Sequence, residues 1–187
     1  MPTDSTDSTE PGGDAADPVD DAAPDGVTVR PYRDGDAAAL WDLKCGFEIG
    51  LGAGTGGDEK AAQYEAKLTD DYRRRWLDWV GRCVDENRGC VAVADDGDSL
   101  VGYVFVLPES LSFVWDAAVL NEIFVAPDAR GTGVADALLA SALGTARAQD
   151  LPLDRMVLDV DRENERAAAF YERFGFTHWG EMVARPL

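Results

Sequence analysis

The chain has 187 residues and a formal net charge of −19, from 36 Asp and Glu against 17 Lys and Arg. That length suits one domain with a full hydrophobic core, and so acidic a surface speaks against nucleic acid as a partner, because phosphate binding needs a basic face. The acids are spread over the whole sequence, which favours a surface kept soluble in concentrated salt, as in a halophile's cytoplasm, over an electrostatic funnel for a basic substrate.

Residues 1–26 hold no aromatic residue and no Lys or Arg. They cannot bury enough apolar surface to offset ordering entropy, so a disordered acidic tail is expected ahead of one domain over residues 27–187. The tail lacks a basic start and an apolar core, and no run in the chain is long enough to span a bilayer. A soluble cytoplasmic protein without a membrane partner is the expectation. Cys45, Cys83 and Cys90 are odd in number and lack metal-ligand spacing, so they read as reduced, partly buried thiols with no metal.

Val27 to Pro31 alternates apolar and polar residues and predicts a first strand; Asp34-Gly-Asp then caps a helix from about Ala37 to Glu48. The tract GLGAGTGGDE, Gly50 to Glu59, is expected to break it as a flexible connector. No strand precedes that tract and no Lys-Ser/Thr pair follows, so it is not a phosphate loop. Helical spacing resumes with Ala61, Tyr64, Leu68, Tyr72, Trp76, Trp79, Val80 and Val84, one or two helices whose aromatic stripe packs in the core or, alternatively, walls a substrate site. Cys90 to Ala94 and Leu100 to Leu107 form a hairpin signal with Gly97 in the turn. A strand from about Trp115 to Val125 leads through a glycine loop into a helix from about Val134 to Ala148. Arg155 to Val160 predicts a strand, Glu163 to Arg173 a helix, and Thr177 to Ala184 part of a final strand. This order gives a mixed α/β chain of the α+β type, without the strict alternation of a Rossmann sheet.

The most informative stretch is VLNEIFVAPDARGTGVADALLASAL, Val119 to Leu143. Gly131, Gly133 and the small Ala135 let the backbone curl so that successive N–H groups face one concavity, and the helix behind adds its positive end. That is a cradle for phosphate or pyrophosphate. Its grammar is wrong for dinucleotides and nucleoside triphosphates, since Asp136 stands where a third glycine belongs and no Lys follows.

Arg-x-x-Gly-x-Ala, Arg130 to Ala135, following Phe-Val-Ala-Pro, together with LDVDRENERAAAFYERFGF, Leu158 to Phe176, resembles the GNAT superfamily of N-acetyltransferases. The resemblance implies a mixed, largely antiparallel central sheet flanked by helices, with acetyl-CoA entering a V-shaped split between the fourth and fifth strands. It implies that the backbone of Ile123, Phe124 and Val125 pairs with pantetheine and that Arg130, Gly131, Thr132, Gly133, Val134, Ala135 and Asp136 hold the pyrophosphate. Asn164 would touch the far arm of the cofactor, and Tyr171 would sit beside the thioester sulfur as the proton donor.

For the general base, Glu122 lies beside the pantetheine-pairing residues, where several relatives carry an acid. Asp159 matches the base position of the family's ribosomal-protein N-terminal acetyltransferases, and Asp116 is a third candidate. Strand alternation decides which of them points inward, and a bulge common in this strand of the family can reverse the decision. The lone His178 reads as a surface or sheet residue.

Phe47, Trp76, Phe113 and Trp115, with Glu48, Asp70 and Asp116, would suit an amine on an apolar arm, or would simply be core. Only eleven residues follow Phe176, too few for the family's long two-stranded ending. The sheet then lacks its last strand, completes it with a shorter one, or borrows an edge from a second subunit in a homodimer. The implied activity is acetyl transfer from acetyl-CoA to a primary amine, a small molecule or a protein N-terminus. A non-catalytic acyl-CoA-binding sensor or interaction module using the same cleft is the alternative.

Overall fold

The computed structural model describes residues 23–54, 57–183 and 185; the expected tail, up to residue 22, lies outside the described residues. One five-stranded sheet runs in the order β1 (Thr28–Pro31), β2 (Val91–Asp95), β3 (Leu100–Val106), β4 (Ala118–Val125) and β5 (Met156–Val157). The first four strands pair antiparallel and β5 pairs parallel to β4. The mixed, largely antiparallel sheet expected from the sequence is therefore present.

Two apolar clusters divide the molecule by sheet face. Leu40, Trp41 and Leu43 of α1 (Ala37–Gly54) and Trp76, Val80 and Cys83 of α3 (Asp70–Glu86) pack on Val91, Val93, Tyr103 and Phe105. Ala92, Ala94, Val104 and Val106 point to the opposite face, where α4 (Val134–Arg147) brings Val134, Leu138, Leu139 and Ala142. Phe170 and Tyr171 of α5 (Glu165–Arg173), with Phe174 at its C-cap, close that face. Burial on both faces explains why β2 and β3 read as continuous apolar runs. Each large side chain so buried contributes about 1.5–3 kcal/mol.

A bulge in β4 sets the functional register. Phe105 pairs with Glu122 but Val106 pairs with Leu120, leaving Asn121 as the extra residue. Without it Leu120 and Glu122 would share a face. With it Leu120 joins the α4 side, while Glu122 reaches Lys44 of α1 and Tyr103 on the other side.

Several expected boundaries move. The helix expected to stop at Glu48 continues to Gly54, and α2 (Gly57–Ala66) follows, so the glycine tract is largely helical; residues 55–56 lie outside the described residues. The glycines serve close packing. A Cβ on Gly52 would lie 2.8 Å from the Ala61 Cα of α2, and one on Gly46 would lie 2.7 Å from the Phe124 ring. The strand expected from Trp115 begins at Ala118, because Glu109–Val114 form a 3-10 turn and Asp116 adopts a left-handed φ of 55°. The strand expected over Arg155 to Val160 keeps only Met156 and Val157, since the chain diverges from β4 beyond that pair. No strand forms within residues 177–183, where no strand beyond β5 offers a ladder; Ala184 lies outside the described residues.

The three cysteines are free thiols, with Cys83 and Cys90 buried, and burial pushes the Cys90 thiol up to about 12. Among the described residues no group of side chains could hold a metal, and no helix is long and apolar enough to cross a membrane.

Candidate functional site

The hydrogen-bond inventory of the glycine loop leaves a run of backbone donors uncommitted among the described residues. Gly131 and Gly133 take φ values of 80° and 98°, which L side chains rarely adopt, and Gly133 caps α4. The first helical bond runs from Ala137 N–H to the Gly133 carbonyl. Among the described residues, the six N–H groups from Gly131 to Asp136 therefore have no protein acceptor. They lie at the positive end of a 14-residue helix. The Asp136 carboxylate, which would repel a phosphate, is held bidentately by Arg173 of α5 at 2.8 and 3.1 Å. Thr132 turns its hydroxyl inward to the Ala129 carbonyl.

Next to the cradle the sheet opens. β4 and β5 pair at Ala118–Met156 and Val119–Val157 only, while β4 runs on to Val125. Ala126 N–H bonds the Val101 carbonyl of the neighbouring strand β3, so antiparallel alternation directs the backbone groups of Ile123 and Val125 to the open edge and those of Phe124 to β3. Arg130 follows the same edge. Its Nε donates to the Val125 carbonyl at 3.0 Å, its guanidinium lies 5.7 Å from the Phe124 ring centre, and its terminal nitrogens stay unused among the described residues.

On the α4 side, Tyr171 packs against Phe170 and Phe176 at ring separations of 5.3 and 5.6 Å. Its hydroxyl makes no hydrogen bond among the described residues. Burial alone pushes the phenol up to about 12, so it keeps its proton at neutral pH. Asn164 is the N-cap of α5, accepting the Ala167 N–H at 3.1 Å and leaving its amide NH₂ for another partner.

On the α1 side, Glu122 belongs to a buried charged cluster. Oε1 accepts from Lys44 Nζ at 2.6 Å and from the Asn121 amide at 3.3 Å; Oε2 accepts from the Tyr103 hydroxyl at 2.7 Å. Lys44 also meets Glu48 at 2.6 Å, and Glu48 meets Lys67 at 2.6 Å and the Tyr72 hydroxyl at 3.1 Å. Burial alone would raise the Glu48 carboxyl, but the two ammonium groups outweigh it and hold it below the usual range. Burial, followed by the neighbouring carboxylates, drives the Tyr103 and Tyr72 phenols upward.

The remaining candidates fall elsewhere. Asp159 is exposed beyond β5, and Asp116 is exposed before β4. Phe113 and Trp115 are also exposed, Trp76 is core, and His178 is exposed. The sequence reading missed Lys44, Lys67, Tyr103 and Arg173. One signal was present: Lys44 and Glu48 fall on the same helical stripe as Leu40 and Phe47, where charge is out of place.

A family model described as the acetyltransferase (GNAT) family matches residues 57–176. Mycothiol acetyltransferase of Salinispora tropica is 32% identical over 163 residues, covering 86% of this chain and 48% of its own length. The chain thus spans about half the length of the mycothiol acetyltransferases it matches. The 5-NmdU N-acetyltransferase of Pseudomonas phage PaMx11 is 33% identical over 97 residues, 52% of this chain and 64% of that one. The fold is similar to that of PaiA N-acetyltransferase from Thermoplasma acidophilum in complex with coenzyme A, with a TM-score of 0.64 at 18% identity over 81% of this chain and 89% of that one.

Proposed function

Because the chain belongs to the acetyltransferase (GNAT) family, whose co-substrate is acetyl-CoA, we propose that it is an N-acetyltransferase acting on a primary amine by direct attack in a ternary complex. The observation that carries this is the juxtaposition, at the C-terminal end of β4, of an open strand edge with six consecutive N–H groups that have no acceptor among the described residues. A linear ligand with an amide-bearing arm and a pyrophosphate suits both parts at once. The acceptor is a small amine or a protein N-terminus, and the similarity to mycothiol acetyltransferases, limited to about half their length, leaves it at that class.

Acetyl-CoA supplies a thioester carbon to the acceptor nitrogen. The N–H groups of Gly131 through Asp136 and the side chain of Arg130 hold the pyrophosphate, and Asn164 offers its amide to the far arm. Backbone groups of Ile123 and Val125 extend the β ladder onto the pantetheine arm and present N–H to the developing oxyanion. Tyr171, protonated across the physiological range, donates to the departing thiolate. Glu122 takes the ammonium proton, directly or through water; Oε2 keeps a lone pair beyond its bond to Tyr103. Asp159 is the second candidate base, and its exposure suits an acceptor arriving from solvent.

Cytoplasmic location and a salt-adapted surface fit the acidic composition. Homodimerisation through the outer edge of β5, unpaired among the described residues, completes this reading. The test is Tyr171→Phe, with CoA affinity and amine-dependent CoA release measured side by side. The expected result is retained binding with turnover reduced about 10²–10⁴-fold, the range for a lost general acid; full turnover removes Tyr171 from the reaction.

A further inference from the structure

Between α1, α2 and α3 the first sheet face carries alternating charges, Glu122, Lys44, Glu48 and Lys67, of which acetyl transfer uses only the inner end. The outer end is built like a receptor for an ammonium. The Glu48 side chain is 3% exposed, and Lys67 Nζ approaches its Oε2 to 2.6 Å. That ammonium is the partner of this buried oxygen, so a different N–H donor can take the position only by displacing it. The Lys67 ammonium also lies 4.3 Å from the Tyr64 ring centre and 5.6 Å from that of Tyr72, within cation–π reach. The Tyr72 hydroxyl bonds Glu48 Oε1, locking ring and carboxylate together. Close approach of α2 to α1 at Gly52 brings Tyr64 over this corner.

Lys67 is the loosest member of the group. It lies in the short link between α2 and α3 on a flexible stem, with 37% of its side chain exposed. An external ammonium can replace it without changing the charge of the buried cluster. Lys44 bridges Glu48 and Glu122 at 2.6 Å each, so the box adjoins the carboxylate assigned to the acceptor's proton. The chain's net charge of −19 concentrates cations at its surface.

We infer that Glu48, Tyr64 and Tyr72 form a subsite for a second cationic group of the acceptor, with Lys67 as its resident stand-in. The favoured acceptors are then dibasic amines whose second ammonium lies a few methylenes from the reacting one. The inference rests on the acetyl-transfer reading for the direction in which the acceptor points, but occupancy of the box is measurable without turnover.

The experiment is calorimetric titration of the CoA-loaded protein with 1,4-diaminobutane and with butylamine, in the wild type, in Lys67→Ala and in Lys67→Ala combined with Tyr64→Leu. The diamine is expected to bind about tenfold more tightly than the monoamine, the worth of one partly desolvated cation–π and carboxylate contact. Lys67→Ala widens that ratio by removing the competitor, and Tyr64→Leu narrows it again. Equal affinities for the two amines in wild type and in a folded Lys67→Ala overturn the subsite, and if that variant fails to fold the wild-type comparison decides alone. Preferential diamine binding without CoA release from acetyl-CoA keeps the subsite and defeats the transfer reading. Equal kcat/KM for both amines keeps the transfer reading and defeats the subsite.

Discussion

Replacing Lys44 with Met isolates the buried cluster. The side chain is 3% exposed and its ammonium sits 2.6 Å from both Glu48 and Glu122, so Met fills similar volume while leaving two carboxylates facing each other. Removing one partner of a buried ion pair costs about 3–5 kcal/mol. In a domain of this size each kcal/mol lowers Tm by about 2–4 °C, so the variant should melt roughly 6–20 °C below wild type near pH 8. The pH dependence has a definite sign. In the wild type the depressed Glu48 carboxyl contributes stability that is present above its unfolded value and lost as pH falls through the folded one. In the variant the paired carboxylates gain from taking up a proton, so the gap to wild type narrows toward pH 5. Circular-dichroism melts from pH 5 to 8 measure both effects, and adding Glu122→Gln to the variant should recover part of the loss as a coupling energy. A loss under about 1 kcal/mol, constant with pH, would refute the buried cluster.

Gly46→Ala puts a methyl 2.7 Å from the Phe124 ring and should cost about 1–3 kcal/mol as overpacking, with weaker CoA binding because Phe124 lies in the open-edge segment; unchanged melting and CoA affinity would contradict that packing. Burial raises the Tyr171 phenol to about 12, and Tyr72 and Tyr103 are also raised. Their stabilisation is complete below the ordinary tyrosine range, about 10, and is lost as pH rises through the folded values. Ultraviolet titration should therefore show these three ionising only as the protein unfolds, and their ionisation in the folded protein at pH 10.5 would count against it. Molar KCl should raise both Tm and activity relative to dilute buffer if the acidic surface is salt-adapted; a steady fall in Tm with KCl would end that reading.

The parts of the site legible in the sequence are those carried by local backbone chemistry. Gly131 and Gly133 announce positive φ, whereas Asn164, the N-cap of α5, and Tyr171 within it were picked out through the family resemblance. The charged cluster was not legible because Lys44 and Glu122 are brought together by sheet register across 78 residues, and that register depends on the bulge at Asn121. The glycine tract misled in the other direction. Gly52 looked like a helix breaker, but α1 tolerates it because the close contact with Ala61 compensates for its low helix propensity. Residues 158–160 carry a strand-like pattern yet lose their partner once β5 diverges from β4, a tertiary decision that no local pattern reports.

Thiol release from acetyl-CoA, followed with and without amines in both molar KCl and dilute buffer and combined with mass analysis of the acceptor, addresses the account most directly. The account predicts no release without an amine, release on adding a primary amine, and one acetyl group gained by that amine for each CoA set free. Tight CoA binding with no release across small amines and peptide N-termini in either buffer would contradict it and leave a module that binds acyl-CoA without reacting it.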